Sequence, residues 1–103
     1  MDNWTPDQLQ ENLDNGKNVF LKLWKPGCGA CKLSKPATER LEAKHGEQLL
    51  FGQIDTSEHS EMLDIADTEV LPVFFIFKDK KMAGKHIGFK GLQKLQTWLE
   101  ESI

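Results

Sequence analysis

No stretch of this chain approaches the roughly 20 consecutive apolar residues that a bilayer-spanning helix requires, which argues against a membrane protein. The start, MDNWTPDQLQEN, lacks a positive segment followed by an apolar run, so a secretory leader is not expected and the cytoplasm is. Basic residues are not in excess: 13 Lys and Arg stand against 16 Asp and Glu, a formal charge of -3, which leaves no electrostatic footprint for nucleic acid. Repeats, low-complexity runs and linkers are absent, as is tyrosine. Cysteine is scarce, with two in 103 residues, too few for a disulfide scaffold; in a cytosolic chain such a pair points to redox or metal chemistry. What is present, 39% hydrophobic and 28% charged residues, suits one soluble domain over residues 1–103 with a single core.

Local signals alternate between helix and strand. Thr5-Pro6-Asp7-Gln8 offers a capping hydroxyl, a proline at the first helical position and a glutamine placed to close a capping box, and Asn15-Gly16 ends that helix. Val19 to Trp24, VFLKLW, is a short apolar run interrupted only by Lys22, as expected of a strand buried on both faces. A helix is predicted from Cys28 to about Lys44, kinked at Pro36, with Leu33, Ala37 and Leu41 facing inward and His45-Gly46 closing it.

A strand over Leu49–Ile54 follows, then a helix over about Glu58–Ala66 with Met62, Ile65 and Ala66 inward. Val73–Phe77 is the most apolar strand, and Lys78–Lys81 is a hairpin turn without the usual glycine. Met82–Ile87 returns as an edge strand, and after Gly91 the spacing of Leu92, Leu95, Trp98 and Leu99 predicts a last amphipathic helix. Strands separated by helices predict parallel pairing through right-handed crossovers, and the closing hairpin adds an antiparallel edge. The fold class is therefore α/β, a mixed sheet of about four strands with helices on both faces.

The two cysteines, Cys28 and Cys31, lie three apart in WKPGCGACKLSKP. Chance placement of two cysteines gives that spacing roughly 2% of the time. Three residues on a helix bring two side chains to one face, within reach of a disulfide that opens and closes without refolding the chain. Cys28 is placed at the helix start, where unpaired N–H groups and the positive end of the dipole favour a thiolate, and Cys31 lies one turn inside. This assigns Cys28 as the nucleophile and Cys31 as the sulfur that resolves the mixed disulfide. Lys25 and Lys32 flank the pair, either adding positive potential or standing as solvated surface residues. A zinc site would need about two more ligands, and His45, His59 and His86 have no finger spacing; they are expected at the surface. A structural staple closing so short a loop would constrain little chain entropy.

These residues resemble the thioredoxin family across nearly the whole chain. VFLKLW before the dithiol, Lys32 after it, Pro36 five residues past Cys31, Leu71-Pro72 before an apolar strand and Gly88 after the edge strand are all in register with it. The resemblance implies a thioredoxin-like fold, in which a short fifth strand at the N-terminus is allowed for. It also implies a cis Leu71-Pro72 bond facing the dithiol, with the Leu71 backbone free to pair with an extended substrate segment and Gly88 lining the same groove. It further implies a monomer that reduces protein disulfides, needs no cofactor beyond its own Cys28–Cys31 disulfide, and is recharged by a flavoprotein of the thioredoxin reductase kind.

Three departures stand in the substrate-contacting turn and beneath it. Gly27 replaces the family's tryptophan, and Gly29-Ala30 replaces its glycine-proline. Lys22 occupies the place of the buried aspartate thought to move the proton of the second cysteine, so it is either a desolvated neutral base, a fixed cation, or a cation whose head reaches water. Two other readings go with these departures: a binding module that keeps the fold with little turnover, and a glutathione-linked, glutaredoxin-like enzyme. The second is disfavoured by the missing tyrosine.

Overall fold

The computed structural model describes residues 1–103. The elements run β1 (Asp2–Asn3), α1 (Pro6–Asp14), β2 (Val19–Trp24), α2 (Gly29–His45), β3 (Leu50–Asp55), α3 (Glu61–Ala66), β4 (Val73–Lys78), β5 (Lys81–Ile87) and α4 (Leu92–Ser102). They build one five-stranded mixed sheet in the order β1-β3-β2-β4-β5. The fifth strand is a two-residue N-terminal piece, with Asp2 and Asn3 in parallel register against Gly52 and Gln53.

Side-chain alternation on the sheet separates two apolar layers. Val19, Leu21, Leu23, Ile54, Val73 and Phe75 face α1 and α3, meeting Leu9, Leu13, Met62 and Ala66. Phe20, Phe51, Phe74 and Ile76 face α2 and α4, meeting Ala37, Leu41, Leu95 and Leu99. Lys22, two residues past Phe20, therefore points to the α2 face in the middle of the sheet. The capping box of α1 forms as expected: the Thr5 hydroxyl accepts from the Gln8 amide at 3.2 Å, and Gln8 Oε1 accepts from the Thr5 amide at 2.9 Å.

One expected pairing is corrected. β2 and β3 are parallel, but β4, although a helix separates it from β3, lies antiparallel to β2 on its other side. Helix length explains the difference. The 17 residues of α2 span about 25 Å, enough to carry the chain back along a strand. The six residues of α3 span only about 9 Å against about 20 Å for a six-residue strand, so β4 sets out from the end where β3 finished. The start of β4, and Leu71-Pro72 just before it, thus lies at the same sheet end as the exit of β2 into the dithiol segment.

Other corrections concern which side chains face inward. Leu33 is 72% exposed, while Ser34 and Thr38 are buried on the inward stripe of α2. Their hydroxyls are satisfied within their own helix: Ser34 donates to the Cys31 carbonyl at 2.8 Å and Thr38 to the Lys35 carbonyl at 2.9 Å, so burial leaves neither unpaired. Ile65 is 56% exposed because α3 begins at Glu61 rather than Glu58 and has room for only a narrow inward face, taken by Met62 and Ala66. The late start has a local cause, since Asp55 Oδ1 accepts from both the Ser57 amide (2.8 Å) and the Ser57 hydroxyl (2.6 Å), holding a turn where the helix was expected. The histidines are not surface residues either. His45 is buried between Gln48 and Glu100, His59 is half-buried, and His86 is half-buried between Phe74 and Trp98. The β4–β5 hairpin turns through Asp79 (φ 53) and Lys80 (φ 69), the left-handed geometry of a two-residue turn achieved without glycine.

Gly52, at the crossing of β1, β3 and β2, is covered by the Trp4 indole, and a Cβ there would overlap three ring carbons. Gly52→Ala is expected to lower stability by about 1–3 kcal/mol, read as a fall in urea midpoint with unchanged slope, because the added Cβ would displace the ring of Trp4, a packed core residue. An unchanged midpoint would show that the indole is free to move.

Candidate active site

β2 ends by delivering Trp24, Lys25 and Pro26 to a turn at Gly27, whose φ of 81 lies in the left-handed region that favours glycine. No heavy atom lies within 4 Å of a Cβ built there, so the place taken by an aromatic plate in the family pattern is open space. The turn makes Cys28 the N-cap of α2, with extended backbone angles. Its Sγ accepts a hydrogen bond from the Cys31 amide at 3.1 Å, spending one of the unpaired donors of the helix start on sulfur. Gly29 and Ala30 form the first turn, Gly29 exposed and Ala30 half-buried.

Cys28 and Cys31 are joined as a disulfide with Cα atoms 5.2 Å apart. Their exposures differ as expected: Cys28 is partly accessible, whereas Cys31 is 3% exposed. Opposite them the Leu71-Pro72 peptide bond is cis, and the Leu71 carbonyl oxygen approaches Cys28 Sγ to 3.8 Å. A disulfide sulfur carries no hydrogen, so in this redox state the approach is a contact rather than a donated bond. Gly88, at φ 79, donates its amide to the Pro72 carbonyl at 2.7 Å and so backs the same loop. The topology thus brings Gly27, Gly29, Ala30, Leu71, Pro72 and Gly88 to one end of the sheet around Cys28.

Lys22 lies on the other side of the pair. Its side chain is 4% exposed, so its head does not reach water freely, and Nζ donates to the Cys31 carbonyl at 3.0 Å, the same oxygen that takes the Ser34 hydroxyl. Burial, followed by repulsion from Lys35 and partly offset by Glu39, lowers its pKa from 10.5 to about 8. At pH 7 about nine in ten copies are charged, which makes Lys22 mainly a fixed cation. Lys25 and Lys32 are exposed and in no ion pair, and they share with Lys22 and Cys31 the lining of one cleft of about 460 Å³.

Sequence reasoning missed Lys35 and Glu39, which set the charge around Lys22. The signal was available, because residues 28, 32, 35 and 39 recur at helical spacing along one face. No group of three histidine, cysteine or carboxylate side chains comes together in a way that could hold a metal, and no helix is long and apolar enough to cross a membrane.

Residues 2–101 match the thioredoxin family profile. The thioredoxin of Bacillus subtilis (strain 168) is 31% identical over 85 residues, 82% of each chain. That of Mycolicibacterium smegmatis is 29% identical over 93 residues, 88% of this chain and 83% of its own. Among solved structures, Fasciola hepatica thioredoxin superposes with a TM-score of 0.87 at 20% identity over 100% of both chains. Oxidised mitochondrial thioredoxin 3 of Saccharomyces cerevisiae gives 0.86 at 19%, covering 98% of this chain and 94% of that one.

Proposed function

Because the chain belongs to the thioredoxin family, whose members are thiol–disulfide oxidoreductases that reduce protein disulfides, we propose that Cys28 is its attacking sulfur and Cys31 its resolving one. The observation that carries this assignment is the asymmetry of the pair: an accessible sulfur at the mouth of α2 with an amide N–H 3.1 Å away, and a buried one a turn deeper. In the dithiol form the Cys28 thiolate attacks one sulfur of a substrate disulfide, forming a mixed disulfide while the other substrate sulfur leaves as a thiolate and takes a proton from solvent. The Cys31 thiol then loses its proton and attacks Cys28 Sγ, which releases the second substrate sulfur as a thiolate that is protonated in turn and regenerates the Cys28–Cys31 disulfide. Two electrons and two protons pass to the substrate in all.

Lys22 acts on this cycle chiefly as a cation. Its charged form cannot accept the Cys31 proton, and its neutral tenth at pH 7 leaves water in the cleft as the other acceptor. The Leu71 backbone, the open turn at Gly27, Gly29 and Ala30, and Gly88 form the groove that receives an extended substrate segment, with the Leu71 carbonyl already at van der Waals range of Cys28 Sγ. The protein works as a monomer in the cytoplasm and is recharged by a flavoprotein reductase, with no cofactor of its own.

Turnover tests this reading. Insulin reduction should proceed for many cycles with NADPH and a bacterial thioredoxin reductase and stay slow with glutathione and glutathione reductase. The opposite preference would favour a glutathione-linked enzyme, and no turnover with either would favour a binding module.

A further inference from the structure

The cleft beside Cys31 carries an unusual charge balance for a protein whose formal charge is -3. Lys22, Lys25, Lys32 and Lys35 line it against a single carboxylate, Glu39, and none of the five is in an ion pair. The only other charge on its wall, the amino terminus of Met1, is already held by Glu42 at 3.5 Å. A further observation points to a ligand rather than to four solvated lysines. Lys22 is 4% exposed and spends one ammonium hydrogen on the Cys31 carbonyl, leaving the others without an acceptor. Buried donors are rarely left unpaired in folded proteins, because each costs the desolvation of the group.

We propose that this cleft binds a multivalent oxyanion, a phosphate or a polycarboxylate, seated over Lys22 beside the buried sulfur. Its volume of about 460 Å³ is that of a small-molecule site. Lysine heads suit it, since they approach an oxyanion as point charges from several directions, and Lys25 on the β2–α2 turn and Lys32 and Lys35 on α2 surround it from two elements. Occupancy reverses the balance of charge on Lys22: an anion in the cleft offsets the repulsion from Lys35 and holds the ammonium protonated. The bound solute thereby sets the protonation state of the group nearest the Cys31 backbone. This inference stands apart from the assignment of the sulfurs and holds in the disulfide form.

The test is an NMR titration of the full chain in its disulfide form at pH 7 with sodium phosphate or sodium citrate, each against sodium chloride at matched ionic strength. Either oxyanion should produce saturable shifts confined to residues around Lys22, Lys32 and Lys35, and the Lys22 Cε titration midpoint should move up from about 8. The tighter of the two names the class, phosphate or carboxylate. Lys22→Met and Lys35→Gln should each weaken binding by roughly tenfold or more, while Lys80→Gln, at the far hairpin turn, should leave it unchanged. Shifts no different from chloride's would overturn the proposal, as would wild-type affinity in both the Lys22 and the Lys35 variants.

Discussion

Cys31→Ser is expected to stop the protein at the mixed disulfide, with one substrate chain held covalently on Cys28, whereas Cys28→Ser should capture nothing. The two cysteines are chemically identical, so the difference must come from their surroundings. Cys28 is accessible and receives the Cys31 amide at 3.1 Å at the positive end of a 17-residue helix, while Cys31 is covered. A partner disulfide can reach the first sulfur and not the second. Both variants should reduce insulin no faster than dithiothreitol does alone, because the cycle needs both sulfurs. Only the Cys31 variant should yield a dithiothreitol-sensitive adduct on non-reducing electrophoresis, with mass spectrometry placing the link on Cys28. An adduct on Cys31 in the Cys28→Ser variant would reverse the assigned roles.

Lys22→Met should make the protein more stable at neutral pH and more reducing. The sign of the first effect follows from proton binding. Lys22 titrates near 8 when folded and at 10.5 when unfolded, so between those values the unfolded chain holds more protons and stability rises with pH. Below pH 8 the charged ammonium is a standing cost of at most roughly 3–4 kcal/mol, less whatever the open cleft screens. Methionine fills similar space without charge but gives up the bond to the Cys31 carbonyl, which leaves a net gain of roughly 1–2 kcal/mol at pH 7. That corresponds to a rise in Tm of about 4–8 °C per kcal/mol for a domain of this size. The gain should shrink as pH rises from about 8 towards 10.5; a variant that is destabilised at pH 7, or whose gain is independent of pH, contradicts the account.

The redox effect has the same origin. A cation beside the pair favours a thiolate and hence the dithiol form, so Lys22 is expected to make the protein more oxidising than a thioredoxin with a carboxylate in that place. Removing about 1 kcal/mol of such attraction lowers the potential by about 20 mV. Equilibration with glutathione at pH 7 measures it, and an unchanged or raised potential in Lys22→Met would show that the charge is not felt at the sulfurs.

Much of this was written locally. Thr5-Pro6-Asp7-Gln8 carries its own cap, the apolar runs at Val19–Trp24 and Val73–Phe77 can only be satisfied in a sheet covered on both faces, and three-residue spacing on a helix start gives Cys28 and Cys31 their unequal surroundings. The N-terminal strand was below what residue pattern can show, since two residues carry no period and its pairing depends on Gly52 leaving room for Trp4. Leu33 and Ile65 were misplaced because hydropathy alone decided the inward face. Ser34 and Thr38 take that face once their hydroxyls bond their own helix, and Asp55 shortens α3 by bonding Ser57.

By itself, then, the order of residues determined the helices and the four longer strands, the covered sheet, the dithiol and the oddity of a lysine in a central strand, because each of these depends on neighbours within a few positions. The tertiary structure alone decided that β4 runs back along β2 to set Leu71 against Cys28, and that Lys22 meets Lys35 and Glu39 across a cleft beside Cys31. Those outcomes turn on the length of α3 relative to a strand and on the desolvation of one ammonium, quantities that exist only once distant segments are packed together.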